Sequence, residues 1–164
     1  MVRAFFNSGI PGSLHICSFG ENSEVLRQQA KSHPNFHFDG MSQPMDCMAW
    51  AQRVDVLINP RLLIWENSFP SKIFQYGITG KAILSTRIGG VDEVLGEHGI
   101  YFEADNLEES LRPKLREVAD MDRVELRRRG TAIRNRILKD FNWDIQARRM
   151  VEFLTGLVAG RRSG

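Results

Sequence analysis

The sequence predicts an α/β domain: a parallel sheet covered by helices on both faces, followed by a helical carboxy-terminal segment. Three observations carry this. Short apolar runs alternate with longer helix-like stretches, which is the spacing that parallel strands and their crossovers require. Most of these runs stop at a Gly, Pro or Asn cluster such as Phe19-Gly20-Glu21, Asp39-Gly40 or Asn59-Pro60. From Leu107 onward the pattern is wholly helical.

Taken in order, Met1 to Ser13 holds an apolar patch (Val2, Ala4, Phe5, Phe6) and then a turn-rich break at Asn7 to Gly12. Leu14 to Ser18 reads as a strand, and Asn22 to Lys31 as a helix ended by His33-Pro34-Asn35. Phe36 and Phe38 flank His37 in a short alternating strand. Met45 to Gln52 has Met45, Met48 and Ala49 at helical spacing. Val54 to Ile58 is the next strand, and Ala82 to Ser85 the one after it. Gly89-Gly90 is explained by a tight strand-to-helix turn. A short helix near Val91 to Leu95 and a thin strand at Ile100-Tyr101-Phe102 complete the alternation. The tail divides into helices over Leu107 to Ala119, Asp122 to Asp140 and Trp143 to Val158, with Pro113 expected in or near a first turn.

The 164 residues are 42% hydrophobic, enough for one well-buried domain. A formal net charge of only +2 makes no demand for nucleic acid, and the basic tail lacks interleaved aromatics that would stack on bases. Arg127, Arg128, Arg129, Arg134, Arg136, Lys139, Arg148 and Arg149 read as a solvated helix face, with an anionic membrane or acidic partner as the alternative. No run approaches the length of a membrane span, so membrane contact would be peripheral and the expected location is cytoplasmic. Cys17 and Cys47 lack CxxC spacing and are expected reduced and buried. His15, His33, His37 and His98 have no ligand spacing, so no metal is expected. Trp143 and Phe141 read as core anchors of the last helices. Neither a GxSxG elbow nor a GxxxxGK[ST] loop occurs.

The most informative stretch runs from Glu66 to Thr86. Pro70 suits the first turn of a helix, where a missing N–H costs nothing. Ser71 and Lys72 would then sit beside unpaired backbone donors, an arrangement suited to phosphate. Gly80 fits the left-handed position that closes the helix after about two turns. A nucleotide or nucleotide-sugar site and an ordinary capped helix both satisfy these residues.

The order Val54–Pro60, Ser68–Tyr76, Gly80–Thr86, Gly89-Gly90-Val91 and Glu93-Val94, with Gly20, Phe38-Asp39-Gly40 and Phe141-Asn142-Trp143, resembles the donor-binding half of the group 1 (family 4) retaining glycosyltransferases. The resemblance spans nearly the whole chain from Leu14. It implies a Rossmann-like domain, one half of a GT-B fold. The chain is then a single donor-binding domain over residues 1–164, lacking the acceptor-binding domain and the first strand of the donor domain.

The activity implied is hexosyl transfer in glycan biosynthesis, from a UDP-, GDP- or ADP-sugar to a glycan or lipid-linked acceptor, with no metal and no separate cofactor. By position the resemblance sets the pyrophosphate against Pro70, Ser71 and Lys72, and the nucleobase against Gly40 and Met41. It puts Glu66, Asn67, Ser68 and Phe69 nearest the sugar, and makes Glu66 and Lys72 the candidate catalytic groups. Gly20 belongs to the same donor site. The family's pair of acids is replaced here by Asn67 and Gln75. Gln75 can still hydrogen-bond a ribose, more weakly than a carboxylate would.

This chain alone is expected to be inactive, its acceptor wall coming from an amino-terminal domain or a partner chain. Two other readings are a non-catalytic subunit completing its cleft with a partner, which would expose Val2, Phe5 and Phe6, and a sugar-nucleotide epimerase.

Overall fold

The computed structural model describes residues 1–62 and 68–161, and within them five strands and eight α-helices in largely alternating order. They are α1 (Val2–Ser8), β1 (Leu14–Cys17), α2 (Ser23–Ser32), β2 (Phe36–Gly40), α3 (Pro44–Arg53), β3 (Val56–Asn59), α4 (Lys72–Ile78), β4 (Ala82–Thr86), α5 (Val91–Leu95), β5 (Ile100–Phe102), α6 (Leu107–Asp120), α7 (Arg123–Asp140) and α8 (Trp143–Arg161). A 3₁₀ turn at Gly96–His98 joins α5 to β5.

Every strand pair is parallel. The described strands nevertheless form two ladders, β1-β2 and β3-β4-β5, where one sheet was expected. The inner edges of β1 and β3 pair with no described strand. A common core unites the two ladders in place of backbone pairing. Leu14 and Phe36 from the first ladder join Ala82, Leu84, Ile100 and Phe102 from the second, under Phe5 of α1 and Leu111 and Leu115 of α6.

Successive side chains of a strand point to opposite faces. Ala82 and Leu84 of β4 therefore enter that core, while Ile83 enters a second one with Ile73, Val91, Leu95 and Ile133 from α4, α5 and α7. Burial on both faces explains why Ala82 to Thr86 reads as a continuous run with no polar alternation.

The amino-terminal patch is a helix with Ala4 and Phe5 fully or nearly fully buried. The exposed edge expected of a subunit around Val2, Phe5 and Phe6 is thus absent, because these residues roof β1 and β2 and Phe6 stacks on His33. Pro113 lies inside α6, beyond its first turn. Trp143 is 89% exposed at the start of α8 and anchors no core. Phe141 does pack, its ring 6.1 Å from that of Phe74.

Much of the basic tail is structural. Arg134 Nε donates to Ile78 O at 3.2 Å, and Arg136 donates to Val94 O and Glu93 O at 3.1 and 2.9 Å. These carbonyls end α4 and α5, where a helix lacks internal donors and carries partial negative charge. Arg128 and Arg129 grip Glu125, whose carboxyl the Arg128 hydrogen bond pulls down to about 2.

Candidate functional site

In a parallel α/β layout the loops after the strands share one rim, and ligands collect where strand order reverses. β2 lies on one side of β1, while the next strand, β3, lies in the other ladder. The strand pairing breaks between these two ladders. Gly20 follows β1, Gly40 ends β2 with Met41 next, and Asn59-Pro60 ends β3. Because α4 runs back antiparallel to β3, its start at Ser68 to Lys72 also lies on this rim. Gly20 and Gly40-Met41 therefore lie at one end of the β1-β2 ladder, and Ser68 to Lys72 at the carboxyl end of β3.

Gly20 and Gly40 have φ of 136° and 69°, values that a side chain would strain. Gly40 stands opposite Cys17 through an irregularity after Ile16, which turns β2 out toward Met41. Met41 is 74% exposed, so an apolar surface is open beside the glycine.

Pro70 is buried, and its carbonyl accepts from Ile73 N at 2.9 Å. The Ser71 carbonyl accepts from Phe74 N at 3.2 Å. These bonds leave the N–H groups of Ser71 and Lys72 with no protein partner among the described residues, and both residues are exposed. Ser71 precedes a seven-residue helix, too short for its dipole to contribute much. The two N–H groups and the Lys72 ammonium carry whatever affinity for anions the loop has. Gln75 is exposed one turn further on. Ser68 is exposed, and the Phe69 ring packs 5.3 Å from Phe74. Gly80, φ 73°, closes the turn after α4 as its position predicts. Glu66 and Asn67 lie outside the described residues.

The sequence reading missed the rim's foundation. Asn59, Ser85 and Thr86 are buried polar residues at the ends of β3 and β4. Asn59 Nδ2 donates to Ser85 Oγ at 2.9 Å, and Ser85 Oγ donates to Thr86 O at 3.0 Å. Arg61 N donates to Thr86 Oγ1 at 3.1 Å, and Arg61 Nη2 to Ser68 O at 3.3 Å. Arg61 thus straps the loop after β3 to the carboxyl end of β4. The polar Asn59-Pro60-Arg61 ending of an apolar run was the available signal.

Cys17 is half-buried and Cys47 exposed; both are free thiols, so only the expected reduced state agrees. Cys17 is pushed up by burial first and then by the nearby Asp39 carboxylate. Among the described residues no group of three His, Cys, Asp or Glu side chains could hold a metal. No described helix is long and apolar enough to cross a membrane.

A cleft of about 450 Å³ lies by β5 between Arg87, Tyr101, Lys114 and Arg129, and none of the predicted site residues lines it. Its cations are engaged internally: Lys114 with Glu117, Arg129 with Glu125, and Arg87 over the Tyr101 ring at 4.4 Å. The rim remains the candidate site.

The chain is a parallel α/β domain with helices over its strands and glycine turns after β1 and β2. The family follows from residues 7–120, which match the model described as "Glycosyl transferases group 1". That span is well over half of the chain, so the chain belongs to this family.

No curated protein sequence matches it. Among solved structures, it is similar to sucrose-phosphate synthase from Thermosynechococcus elongatus, with TM-score 0.74, 17% identity, and coverage of 97% of this chain and 42% of that one. It is also similar to a glycosyltransferase from Rickettsia africae, with TM-score 0.70, 18% identity and coverage of 96% and 43%. The C-terminal domain of a group 1 family glycosyl transferase from Francisella tularensis superposes with TM-score 0.50 at 12% identity, covering 86% of this chain and 92% of that one. At these identities the likeness is one of fold. The chain spans less than half the length of the first and second of these proteins.

Proposed function

We propose that this chain is the donor-binding half of a retaining, metal-independent glycosyltransferase that moves a hexose from a UDP-, GDP- or ADP-sugar to a glycan or lipid-linked acceptor. What supports the reading is the pair of glycine turns at Gly20 and Gly40-Met41 after β1 and β2, together with the Ser71 and Lys72 N–H groups left without a partner among the described residues at the loop into α4. The base lies on the Gly40-Met41 turn, Gln75 takes a ribose hydroxyl, and the diphosphate is held by the Ser71 and Lys72 N–H groups and the Lys72 ammonium. Charge grows on the diphosphate as the sugar leaves. Donors fixed there before reaction stabilise the transition state more than the ground state. Glu66 and Asn67 complete the sugar side.

Alone, the chain binds donor without transferring it, since no facing wall positions an acceptor or excludes water. The edges of β1 and β3 that pair with no described strand support a domain that is completed by further polypeptide, including the strand that the resemblance finds missing. They equally favour the second reading, a subunit that closes its cleft with a partner chain. Calorimetry with UDP-, GDP- and ADP-sugars tests donor binding: no heat at millimolar concentration from folded protein overturns it. An upstream continuous frame of roughly 180 codons, enough for one more domain, would decide between the two readings.

A further inference from the structure

No step of the proposed function uses the two cysteines, yet the fold brings them to one place. His15 and Cys17 are two residues apart on β1 and so share a face. Cys47 and Trp50 are three apart on α3 and share a side of that helix. The Trp50 ring stacks on His15 at 5.4 Å, so α3, which begins near the end of β2, runs back along this face of β1. One turn before Trp50 is a step of about 4.5 Å along the helix, and two residues beyond His15 a step of about 6.6 Å along the strand. Cys47 therefore comes over Cys17 much as Trp50 comes over His15. Ser42, in the turn between β2 and α3, touches both thiols: its carbonyl oxygen lies 3.9 Å from Cys47 Sγ, and its side chain hydrogen-bonds Cys17. Cys47 also adds to the upward push that burial and then Asp39 give the Cys17 thiol, which puts the two sulfurs within electrostatic reach.

We infer that Cys17 and Cys47 are a reversible thiol pair, which exchange with a small-molecule disulfide closes into a bridge between β1 and α3. One thiol is exposed and the other half-buried, so a soluble disulfide meets Cys47 first and Cys17 stands behind it. The Cys47 thiolate attacks one sulfur of the small disulfide, expels the other as a thiolate and is left in a mixed disulfide. Cys17 then gives up its proton, with the Asp39 carboxylate 3.9 Å from its Sγ to receive it, and attacks Cys47 Sγ as the second small thiolate leaves. Two protein thiols are oxidised, one small disulfide is reduced to two thiols, and the two protons pass to those. Only Ala51 of α3 is buried, so the helix is free to move the short way that a bond of about 2.05 Å requires. Among the described residues no third ligand makes the cluster a metal site. The bridge ties down both ends of the turn over residues 40–43. That this turn lies beside the base rests on the donor reading above; the thiol pair itself does not.

Treating the folded full chain with oxidised glutathione, then alkylating it in denaturant and weighing it by mass spectrometry, tests the inference. The expected product is a monomer lighter by two hydrogens, with neither cysteine alkylated, and dithiothreitol should restore both thiols. Cys17→Ser should stop at a stable glutathione adduct on Cys47, and Cys47→Ser should leave Cys17 largely unmodified. Closing a loop of about 30 residues should raise the urea midpoint of the oxidised chain above that of its reduced form, and neither variant should show such a rise. Amide exchange over residues 40–43 should slow on oxidation. Disulfide-linked dimers, a glutathione adduct that persists beside a free Cys17, or two free thiols after treatment would each overturn the inference. None of these readouts involves a donor sugar, so a failure here is distinct from a failure of donor binding.

Discussion

Gly130 of α7 lies directly against the carbonyl oxygen of Gly80, leaving no room for a Cβ. The clash would be with backbone, which cannot rotate away as a side-chain tip can. Gly130→Ala should therefore push α7 off the turn into β4 and cost about 3 kcal/mol. Urea unfolding measures it; an unchanged midpoint would show that α7 is not seated as described.

Lys72 is exposed, so Lys72→Ala should leave the thermal midpoint where it is. Loss of one charge-assisted contact of about 1.5–3 kcal/mol should weaken donor binding roughly 10- to 150-fold by calorimetry. Equal affinity in the two proteins would remove Lys72 from the phosphate site.

Arg136 closes the carbonyl end of α5 with two hydrogen bonds. Arg136→Met keeps the aliphatic stem and removes both, at an expected cost of about 1–2 kcal/mol. Denaturant titration should show this loss, with donor affinity unaffected.

His15 stacks between His37 and Trp50, at ring distances of 4.3 and 5.4 Å, and its Nδ1 is buried without a partner. Burial first, and then His37, lower its pKa from the usual 6.5, partly offset by Asp39. With the folded pKa below the unfolded one, the unfolded chain takes up the proton first. Stability is then complete above about pH 6.5 and declines as pH falls from there toward the folded value. His15→Phe should flatten the pH dependence of the urea midpoint between about pH 7 and 5; an unchanged slope would mean that other groups set it.

The alternation of strands and helices was legible because each apolar run is short and most end in a breaker such as Asp39-Gly40 or Asn59-Pro60. Gly80 and Gly89-Gly90 were legible because few other residues tolerate their φ values of 73°, 60° and 77°. Helix α1 was hidden: in seven residues an amphipathic period hardly repeats, and Phe5 and Phe6 next to each other suit strand or helix. Trp143 misled because burial of a large aromatic is a strong average tendency, while the actual site depends on what lies beside α8. On the rim, Ser71 and Lys72 could be found from local chain geometry. The Asn59-Pro60-Arg61 ending marked a polar spot, but the partners of Asn59, Arg61 and Thr86 could not be read, since their bonds join segments some 25 residues apart.

Among the described residues the two parallel ladders meet through a shared apolar core. Gly20, Gly40 and Met41 belong to the β1-β2 block, and Ser68 to Lys72 to the β3-β4-β5 block. No ladder hydrogen bond joins the blocks among the described residues. Sliding apolar contacts past one another costs far less than breaking backbone pairs, so the softest seam of this domain runs between the loop that would hold the base and the loop that would hold the phosphates. The spacing of the proposed donor loops is therefore a mechanical variable, set by how firmly Phe5, Leu111 and their neighbours clamp the two blocks.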